Sequence, residues 1–215
     1  MSETPALAEP PHDCALCPRL ADFRHDNARQ YPEFFNAPVP SWGDANAAIM
    51  IVGLAPGLKG ANATGRPFTG DYAGDLLYET LKKFGLASGE YDKRPDDSLR
   101  LHNVRICNAV RCVPPQNKPT GAEIKTCRPF LTGNIEAHAP IKVFVTLGRI
   151  AHDTLLTTLD LKRSAYPFGH AARHDLPDGR VIYDSYHCSR YNTNTGRLTT
   201  EMFEDVIGKA KAAAG

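Results

Sequence analysis

The sequence has no long hydrophobic run and no excess of charge of either sign. No window approaches the run of about 20 apolar residues that a membrane-spanning helix needs. The first residues, MSETPALAEPPHDC, lack the basic start and apolar core of a signal peptide. Lysine and arginine total 25 against 24 acidic residues, for a net charge of +1, so no general positive field attracts a polyanion. These absences predict a cytoplasmic protein without a membrane anchor, in which any nucleic-acid surface is local.

Two common nucleotide-binding signatures are missing as well. The chain contains neither G-x-G-x-x-G nor G-x-x-x-x-G-K-[ST], the glycine-rich loops of dinucleotide and nucleoside-triphosphate binders. No internal repeat or low-complexity tract is visible, and a hydrophobic content of 42% over 215 residues is ordinary for a globular protein. The sequence therefore predicts a folded protein with a sizeable core and disfavours a nucleotide cofactor.

Positive charge is concentrated in one part of the chain. Between residues 162 and 197, nine lysine, arginine or histidine residues stand against only three aspartates. This stretch is either a local nucleic-acid surface or a solvated, histidine-rich surface loop. Composition alone leaves both interpretations open.

Apolar runs alternate with helical patterns along most of the chain. Four continuous, β-branched-rich runs at residues 48–53, 104–110, 142–147 and 180–185 predict strands covered on both faces. Helical patterns occupy residues 18–24, 72–84, 120–137, 149–159 and 199–213, and a capping box of Thr120 and Glu123 starts the third. The alternation predicts an α/β fold, a three-layer α/β/α sandwich with a central four-stranded, mainly parallel sheet. We expect residues 1–45 to form an N-terminal arm and residues 46–215 a single domain.

The chain has six cysteines, and in a cytoplasmic protein we do not expect them to form disulfides, because that compartment keeps thiols reduced. Four of them have the pattern of a ligand set, with a C-x2-C pair in the arm and a C-x14-C pair downstream: Cys14, Cys17, Cys112 and Cys127. Four thiolates suit either a zinc ion or an iron-sulfur cluster. Cys107, inside a predicted strand, is most simply a small buried apolar residue.

Unusual segments follow three of the predicted strands, where ligands bind in parallel α/β sheets. The first strand leads into the turn GLAPG at residues 53–57 and then GRPFTGD at residues 65–71. Asn108 ends the second strand, and the fourth runs into SYHCSRYNTNTGRL at residues 185–198. Phe68 is either a pocket wall or a staple for its loop, and Asn108 is either a reader of a base edge or a satisfied turn residue. His187 in so polar a loop favours a functional role.

These segments, in this order, resemble the motifs of the uracil-DNA glycosylase superfamily, specifically its iron-sulfur branch, called family 5 or type B. The resemblance runs from Cys14 to about Thr200. It implies the α/β/α fold, removal of uracil and some deaminated purines from DNA, and a [4Fe-4S] cluster held by the four paired cysteines. One departure is Cys188, where the family usually has proline, which leaves a thiol near the DNA.

The resemblance also implies roles for single residues in a base-flipping mechanism. Phe68 stacks on the extracted base, Asn108 reads its edge, and His187 donates to the oxyanion of the departing base. The remaining base-binding positions lie in the first turn: Gly53, Leu54, Ala55 and Gly57. The DNA-binding residues lie in the last loop: Ser189, Arg190, Tyr191, Asn192 and Arg197. The segment from Arg190 to Thr195 enters the DNA groove, and Arg197 contacts a phosphate. Further phosphate contacts are expected from Lys59, Arg163 and Arg173.

The group that activates the water is the open point. Related families carry an acid in the first turn, where this chain has Leu54 and Ala55. Asp71 is therefore the first candidate and Asp75 the second, and a positioned water without any activating side chain is the remaining possibility.

Three functional hypotheses follow. The first is a monomeric, monofunctional uracil-DNA glycosylase, because no desolvated lysine stands among the motifs to form a Schiff base. The second is a non-catalytic iron-sulfur or zinc protein that binds nucleic acid. The third is a small electron carrier, which the Asn108, Phe68 and His187 motifs disfavour.

Overall fold

The computed structural model describes residues 9–138 and 140–215. The first eight residues of the predicted N-terminal arm therefore lie outside the described part of the chain. The helices are α1 (Pro18–Gln30), α2 (Ala61–Thr64), α3 (Tyr72–Lys83), α4 (Gly121–Ala137), α5 (Arg149–Thr158), α6 (Arg190–Asn194) and α7 (Thr200–Ala214). Short 3-10 helices span Pro115–Asn117 and Arg163–Ala165.

A six-stranded sheet forms the centre of the fold. The strands are β1 (Trp42–Gly43), β2 (Ile49–Gly53), β3 (Ala87–Ser88), β4 (Arg100–Leu101), β5 (Val104–Asn108), β6 (Val143–Leu147), β7 (Arg173–Asp175) and β8 (Val181–Ser185). The order across the sheet is β1-β5-β2-β6-β8-β7, while β3 and β4 pair separately. The four inner strands β5, β2, β6 and β8 run parallel, and the two outer strands run antiparallel to their neighbours.

The predicted α/β sandwich is confirmed, and its four predicted strands are the four parallel ones. The strand count of four is wrong, because the short outer strands β1 and β7 extend the sheet to six. Those strands have two and three residues, too few to give a periodic signal. The capping box is confirmed: Thr120 Oγ1 accepts from the Glu123 amide at 3.3 Å, and Glu123 Oε2 accepts from the Thr120 amide at 2.7 Å.

The two faces of the sheet bury separate cores. Ile49 and Ile51 of β2 pack with α3 and α7, while Met50 and Val52 point to the opposite face, towards α4 and α5. All five residues of β2 are buried, so the continuous hydrophobicity of the strand reflects cover on both faces. Across the described residues, the helices do not combine the length and apolar character needed to span a membrane.

A buried polar network joins four elements, β6, α5, β7 and β8. Asp184 of β8 contacts Thr146, His152 and His174, whose Oγ1, Nδ1 and Nε2 atoms lie 2.7, 2.7 and 3.0 Å from its carboxylate oxygens. The other ring nitrogen of His152 lies 2.9 Å from the carbonyl oxygen of Tyr166. Because a carbonyl only accepts, that nitrogen carries a proton, and the carboxylate favours a second proton on Nδ1.

The protonation of His152 should couple folding to pH. Burial alone would lower the pKa of His152, but the hydrogen bond and charge of Asp184 outweigh burial and raise it. The stabilisation of the fold by protonated His152 and Asp184 is complete below the ordinary histidine pKa of 6.5. It is lost as the pH rises through the raised pKa of His152. We predict that His152→Leu lowers the free energy of unfolding by about 3–5 kcal/mol at about pH 6. The loss should shrink by about pH 9.

Urea unfolding of the wild type and the variant at both pH values measures this difference. His25→Leu, a change at an exposed position, is the control and should show no such pH dependence. A His152→Leu loss that is equal at both pH values would contradict an ionised pair.

Candidate active site

Three side-chain positions meet at the carboxyl end of β2. A Cβ atom added to Gly53 would lie 2.3 Å from Asn108 Oδ1 and 2.7 Å from Phe68 Cζ. Both distances are shorter than van der Waals contact, so only glycine permits this approach. The structure therefore brings together Gly53, Phe68 and Asn108, which come from three separate sequence segments.

Asn108 is buried with an unused acceptor. The residue is 3% exposed, and its Oδ1 atom has no hydrogen-bond partner within the described residues. A buried polar atom without a partner is costly. This observation disfavours the interpretation of Asn108 as a satisfied turn residue and favours a site where a ligand N–H completes the bond.

Phe68 is held in an unusual conformation by its neighbours. Its φ angle is +52°, a region that aromatic residues rarely adopt. The Tyr91 hydroxyl donates to the Phe68 carbonyl at 3.1 Å, the Gly70 amide donates to that hydroxyl at 3.3 Å, and Tyr78 donates to the Pro67 carbonyl. The loop around Phe68 is thereby fixed from both sides, and strain of this kind is typical of functional sites.

A buried ion pair anchors the same loop. The two terminal nitrogens of Arg66 each donate to one carboxylate oxygen of Asp97 at 2.7 Å. The guanidinium also lies over the rings of Trp42, Tyr78 and Tyr91, at 4.8, 5.8 and 5.9 Å from their centroids. Burial opposes ionisation of Asp97, but the hydrogen bonds from Arg66 and two backbone amides outweigh it and lower the pKa of Asp97. Sequence reasoning missed this pair, because the two residues are 31 positions apart.

His187 lies in the wall of a cleft with a volume of about 560 Å³. Burial lowers the pKa of His187 to about 4, so the ring is neutral near pH 7 and can donate one N–H. Its backbone is fixed because Asn192 Nδ2 donates to the His187 carbonyl at 2.8 Å. The rings of His187 and Phe68 lie 6.1 Å apart, centroid to centroid. The two predicted residues therefore border one site.

The cleft collects most of the predicted residues of the first turn and the last loop. It is lined by Leu54, Ala55, Gly57, Lys59, Gly70, Asp71, Tyr72, Ala73, Asn117, His187, Ser189 and Arg190. Tyr72 and Asn117 were not among the predicted residues. Asn117 has a φ angle of +56°, and the C-x-P-P-Q-N sequence before it was the available signal for such a turn.

The structure separates the two candidate acids. Asp71 is the N-cap of α3, where its side chain accepts from the Gly74 amide at 3.4 Å. Its Oδ2 lies close to Gly57, which lines the cleft, and to Gly60. Burial raises the pKa of Asp71. Asp75 instead accepts from Lys93 Nζ at 2.9 Å and does not line the cleft. Asp71 is thus the predicted acid that the cleft contains.

After His187, the last loop carries an exposed aromatic side chain and two arginines, the side-chain types that contact bases and phosphates in DNA. Tyr191 is 72% exposed at the start of α6. Arg190 lies over the ring of Tyr72 at 5.4 Å and Arg197 over that of Tyr186 at 4.5 Å. Neither arginine forms an ion pair in the described part of the chain. Both guanidinium groups are therefore available to a phosphate.

A smaller cleft of about 270 Å³ borders the other side of His187. Arg149, which sequence reasoning missed, lines it and lies over Phe168 at 5.2 Å from the ring centroid. By contrast, Arg163 and Arg173 donate to neighbours in the chain, Thr157 and Asp175. These two predicted phosphate contacts are already engaged within the protein.

The four paired cysteines come together from two distant segments of the chain. Cys14, Cys17, Cys112 and Cys127 line one small pocket, along with Leu20, Val110 and Phe130. Burial raises the pKa of Cys112 to about 11 and that of Cys127 to about 12, so as free thiols both would stay protonated. Such a donor set suits a cation, which binds the thiolate form and offsets the cost of burying it.

The spacing of the thiols separates two kinds of centre. The sulfur atoms of the four cysteines are not close-packed: among the described residues, no three of them lie within 4.8 Å of one another. The group that does meet this distance is His152, His174 and Asp184. Four sulfurs on one zinc, each at about 2.3 Å, would lie within about 4 Å of one another. The cysteines are therefore spread more widely than a single zinc ion requires.

The two remaining cysteines lie away from this pocket. Cys107 is fully buried in β5, which confirms the expectation of a small core residue. Cys188, expected to leave a thiol near the DNA, is 0% exposed and packs in the core with Leu198 and Phe203, so its thiol is not open to solvent. Burial there raises the pKa of Cys188 to about 12.

Comparison with known proteins identifies the family of the chain. Residues 40–211 match the family model described as the uracil DNA glycosylase superfamily. The chain therefore belongs to that superfamily. Within it, a type-5 uracil-DNA glycosylase of Thermus thermophilus is 46% identical over 207 residues, covering 94% of each chain. A type-5 enzyme of Pyrobaculum aerophilum is 40% identical and covers 94% of this chain and 90% of the relative. A type-4 enzyme of Archaeoglobus fulgidus is 37% identical over 58% of this chain and 55% of the relative.

The ion pair under the Phe68 loop should contribute strongly to stability. We predict that Arg66→Met lowers the free energy of unfolding by about 3–5 kcal/mol, because it leaves the Asp97 carboxylate buried without its partner. Adding Asp97→Asn should recover part of this loss, since the uncompensated charge is then removed. Urea unfolding of the single and double variants measures both effects.

The exposed pair of Arg94 and Asp96 provides a matched control. Arg94→Met should leave the unfolding curve unchanged, because surface ion pairs contribute little. An Arg66→Met protein as stable as the Arg94→Met protein would refute the anchoring role.

Proposed function

We propose that this protein is a uracil-DNA glycosylase that hydrolyses the N-glycosidic bond of uracil, and of other deaminated bases, in DNA. The observation that carries the proposal is the meeting of an unpartnered Asn108 acceptor, the Phe68 ring and a neutral His187 at one site. Relatives named type-5 uracil-DNA glycosylase over 94% of the chain support it. The interpretation as a non-catalytic binding protein gives these groups no task.

The base is recognised through its edge and its face. The free Oδ1 of Asn108 accepts the ring N–H of uracil, and the amide nitrogen of the same side chain donates to the neighbouring base carbonyl. Phe68 supplies an aromatic surface for stacking. Leu54 and Ala55 line the cleft without polar atoms in their side chains, so the first turn selects weakly among bases. This suits several deaminated bases in addition to uracil.

His187 stabilises the leaving group. Negative charge grows on the departing base as the glycosidic bond breaks, and the neutral imidazole N–H donates to it. One such donor contributes about 2.7–4 kcal/mol in the transition state. Because burial lowers the pKa of His187 to about 4, the ring acts as a hydrogen-bond donor and does not supply a charge near neutral pH.

Asp71 orients the water and offsets positive charge on the sugar. Asp71 and Gly57 both line the cleft, and Asp71 Oδ2 lies close to Gly57. Asp75 is paired with Lys93 outside the cleft, which disfavours it. Lys59 lines the cleft but is exposed, so it is a poor Schiff-base nucleophile, and the reaction is monofunctional.

DNA binds across the last loop. Ser189, Asn192 and Tyr191 form the part that enters the groove, and Tyr191 fills the gap left by the extracted nucleotide. Arg190 and Arg197 contact phosphates, and Arg149 adds a third such contact. We expect a cytoplasmic monomer with the arm at residues 1–45 and a single glycosylase domain at residues 46–215.

Cys14, Cys17, Cys112 and Cys127 hold a [4Fe-4S] cluster. The all-thiol donor set, its burial and the spacing of the sulfurs support a cluster over a single zinc ion. When bound, the cluster supplies a cross-link between the arm and the domain, and no step of the hydrolysis passes through it.

Single-turnover excision tests the function and the role of His187 together. Oligonucleotide duplexes with uracil, hypoxanthine, xanthine or a thymine mismatch are incubated with the protein and then with alkali. Uracil strands should break only after alkali, because the direct product is an intact abasic strand. We predict that His187→Ala slows uracil excision by about 100-fold to 1000-fold, with DNA affinity little changed, since phosphate contacts dominate it. Wild-type protein that releases no base would refute the function.

Asp71→Ala should be the second most damaging change, and Asp75→Ala, one turn further along α3, is its matched control. Because burial raises the pKa of Asp71, the wild-type rate should fall on the acid side above the pH at which an ordinary aspartate titrates. That acid limb should be lost with Asp71→Ala and kept with Asp75→Ala. An Asp71→Ala enzyme with the wild-type rate and pH profile would remove Asp71 from the mechanism.

The cluster proposal predicts brown protein with a broad absorbance band near about 400 nm, as charge transfer from thiolate to iron gives. Cys112→Ala should lose the colour and destabilise the fold. Cys107→Ala is the control and should keep the colour, because Cys107 lies in the sheet core. Iron and zinc analysis measures the metal, and colourless protein with one zinc ion per chain would contradict the cluster.

A further inference from the structure

A buried arginine lies against the cysteine pocket. Arg24, on the helix that begins just after Cys17, is 3% exposed. Its Nη1 donates to Cys112 Sγ at 3.5 Å and its Nη2 to the Cys14 carbonyl at 3.0 Å. One guanidinium thus bridges the arm and a segment 88 positions further along the chain.

Arg24 has no carboxylate to balance its charge within residues 9–138 and 140–215. The acids nearby are engaged elsewhere: Glu123 pairs with Arg19 at 2.7 Å, and Glu9 pairs with Arg111 at 2.8 Å. A buried charge without a partner is strongly unfavourable. The group that faces the Arg24 guanidinium is instead the sulfur of Cys112.

We propose that Arg24 is the counter-cation of the metal centre and raises its reduction potential. This inference rests on the proposed cluster. Four thiolates carry four negative charges, whereas a zinc ion or a divalent cluster core carries two positive charges. The filled site is therefore anionic. Arg24 offsets that charge inside an apolar pocket and donates an N–H to one ligand sulfur. Both effects stabilise the centre, and they stabilise it more after it gains one electron.

The geometry calls for arginine in particular. The planar fork reaches the Cys112 sulfur with one terminal nitrogen and the Cys14 carbonyl with the other. Lysine has a single point-like ammonium and cannot hold both acceptors in this arrangement. Charge and bridging are therefore separable by substitution, because lysine keeps the first and loses the second.

The test compares Arg24→Met, Arg24→Lys and Arg29→Met as full-length proteins. Arg29 lies on the same helix, and its side chain is 75% exposed and paired with Asp26, so Arg29→Met is the matched control. Three quantities are measured: metal content, the rate at which the absorbance near about 400 nm is lost to a chelator in air, and the midpoint potential for one-electron reduction by dithionite. Circular dichroism reports folding.

We expect Arg24→Met to lose the centre about 10-fold to 100-fold faster than the wild type and to have a more negative potential. Arg24→Lys should keep a potential near that of the wild type while losing the centre faster, and Arg29→Met should match the wild type. If Arg24→Met does not fold, the potential and loss rate of Arg24→Lys still decide the question.

Two outcomes would overturn the inference. One is an Arg24→Met protein with the wild-type loss rate and potential. The other is an Arg24→Lys protein whose potential is shifted far from that of the wild type, since its charge is retained. Failure of the cluster proposal is distinguishable, because it appears in the wild type as colourless protein without iron, whereas failure of the Arg24 inference appears only in the comparison of variants.

Discussion

The ion pair of Arg66 and Asp97 is the constraint on which the cleft depends. A buried guanidinium needs a negative charge beside it and acceptors for its N–H groups. Here the Asp97 carboxylate provides both through two hydrogen bonds, and three aromatic rings cover the guanidinium. The backbone beside Arg66 is consequently fixed, which allows Phe68 to keep a positive φ angle and to approach Gly53. The position of the Phe68 ring beside Gly53 is therefore set by a polar interaction of its loop.

Burial in the cleft shifts the pKa values of its acid and its imidazole in opposite directions. Burial disfavours the charged form of any group, so it raises the pKa of Asp71 and lowers that of His187 to about 4. The result is an uncharged donor at His187 near neutral pH and, at Asp71, a carboxyl group whose ionised form burial disfavours. In the proposed function, an ionised Asp71 and a neutral His187 favour a transition state with a cationic sugar and an anionic base more than they favour the neutral substrate.

Local pattern predicted the inner strands, because β2, β6 and β8 are buried along their whole length. It could not predict β1 and β7, which are held by pairing with neighbours and are too short to show a period. Asp71 and Asp75 look alike in sequence, since Asp71 is the N-cap of α3 and Asp75 lies in its first turn. Only tertiary contacts separate them: Lys93, 18 positions away, pairs with Asp75. The role of Asp97 could not be predicted either, because its partner Arg66 is 31 positions away in the chain.

The metal pocket and the base pocket share one backbone segment. Asn108 and Cys112 stand four residues apart in the chain, and the residues between them bond to both sides. The amides of Ala109 and Val110 donate to the carbonyls of Gly53 and Leu54 at 2.9 Å, which ties this segment to the first turn of the cleft. The Arg111 amide donates to Cys127 Sγ at 3.4 Å. A centre bound by Cys112 and Cys127 would therefore also restrain the position of the Asn108 side chain, and in the proposed function the cysteines support base recognition through the backbone without taking part in the chemistry.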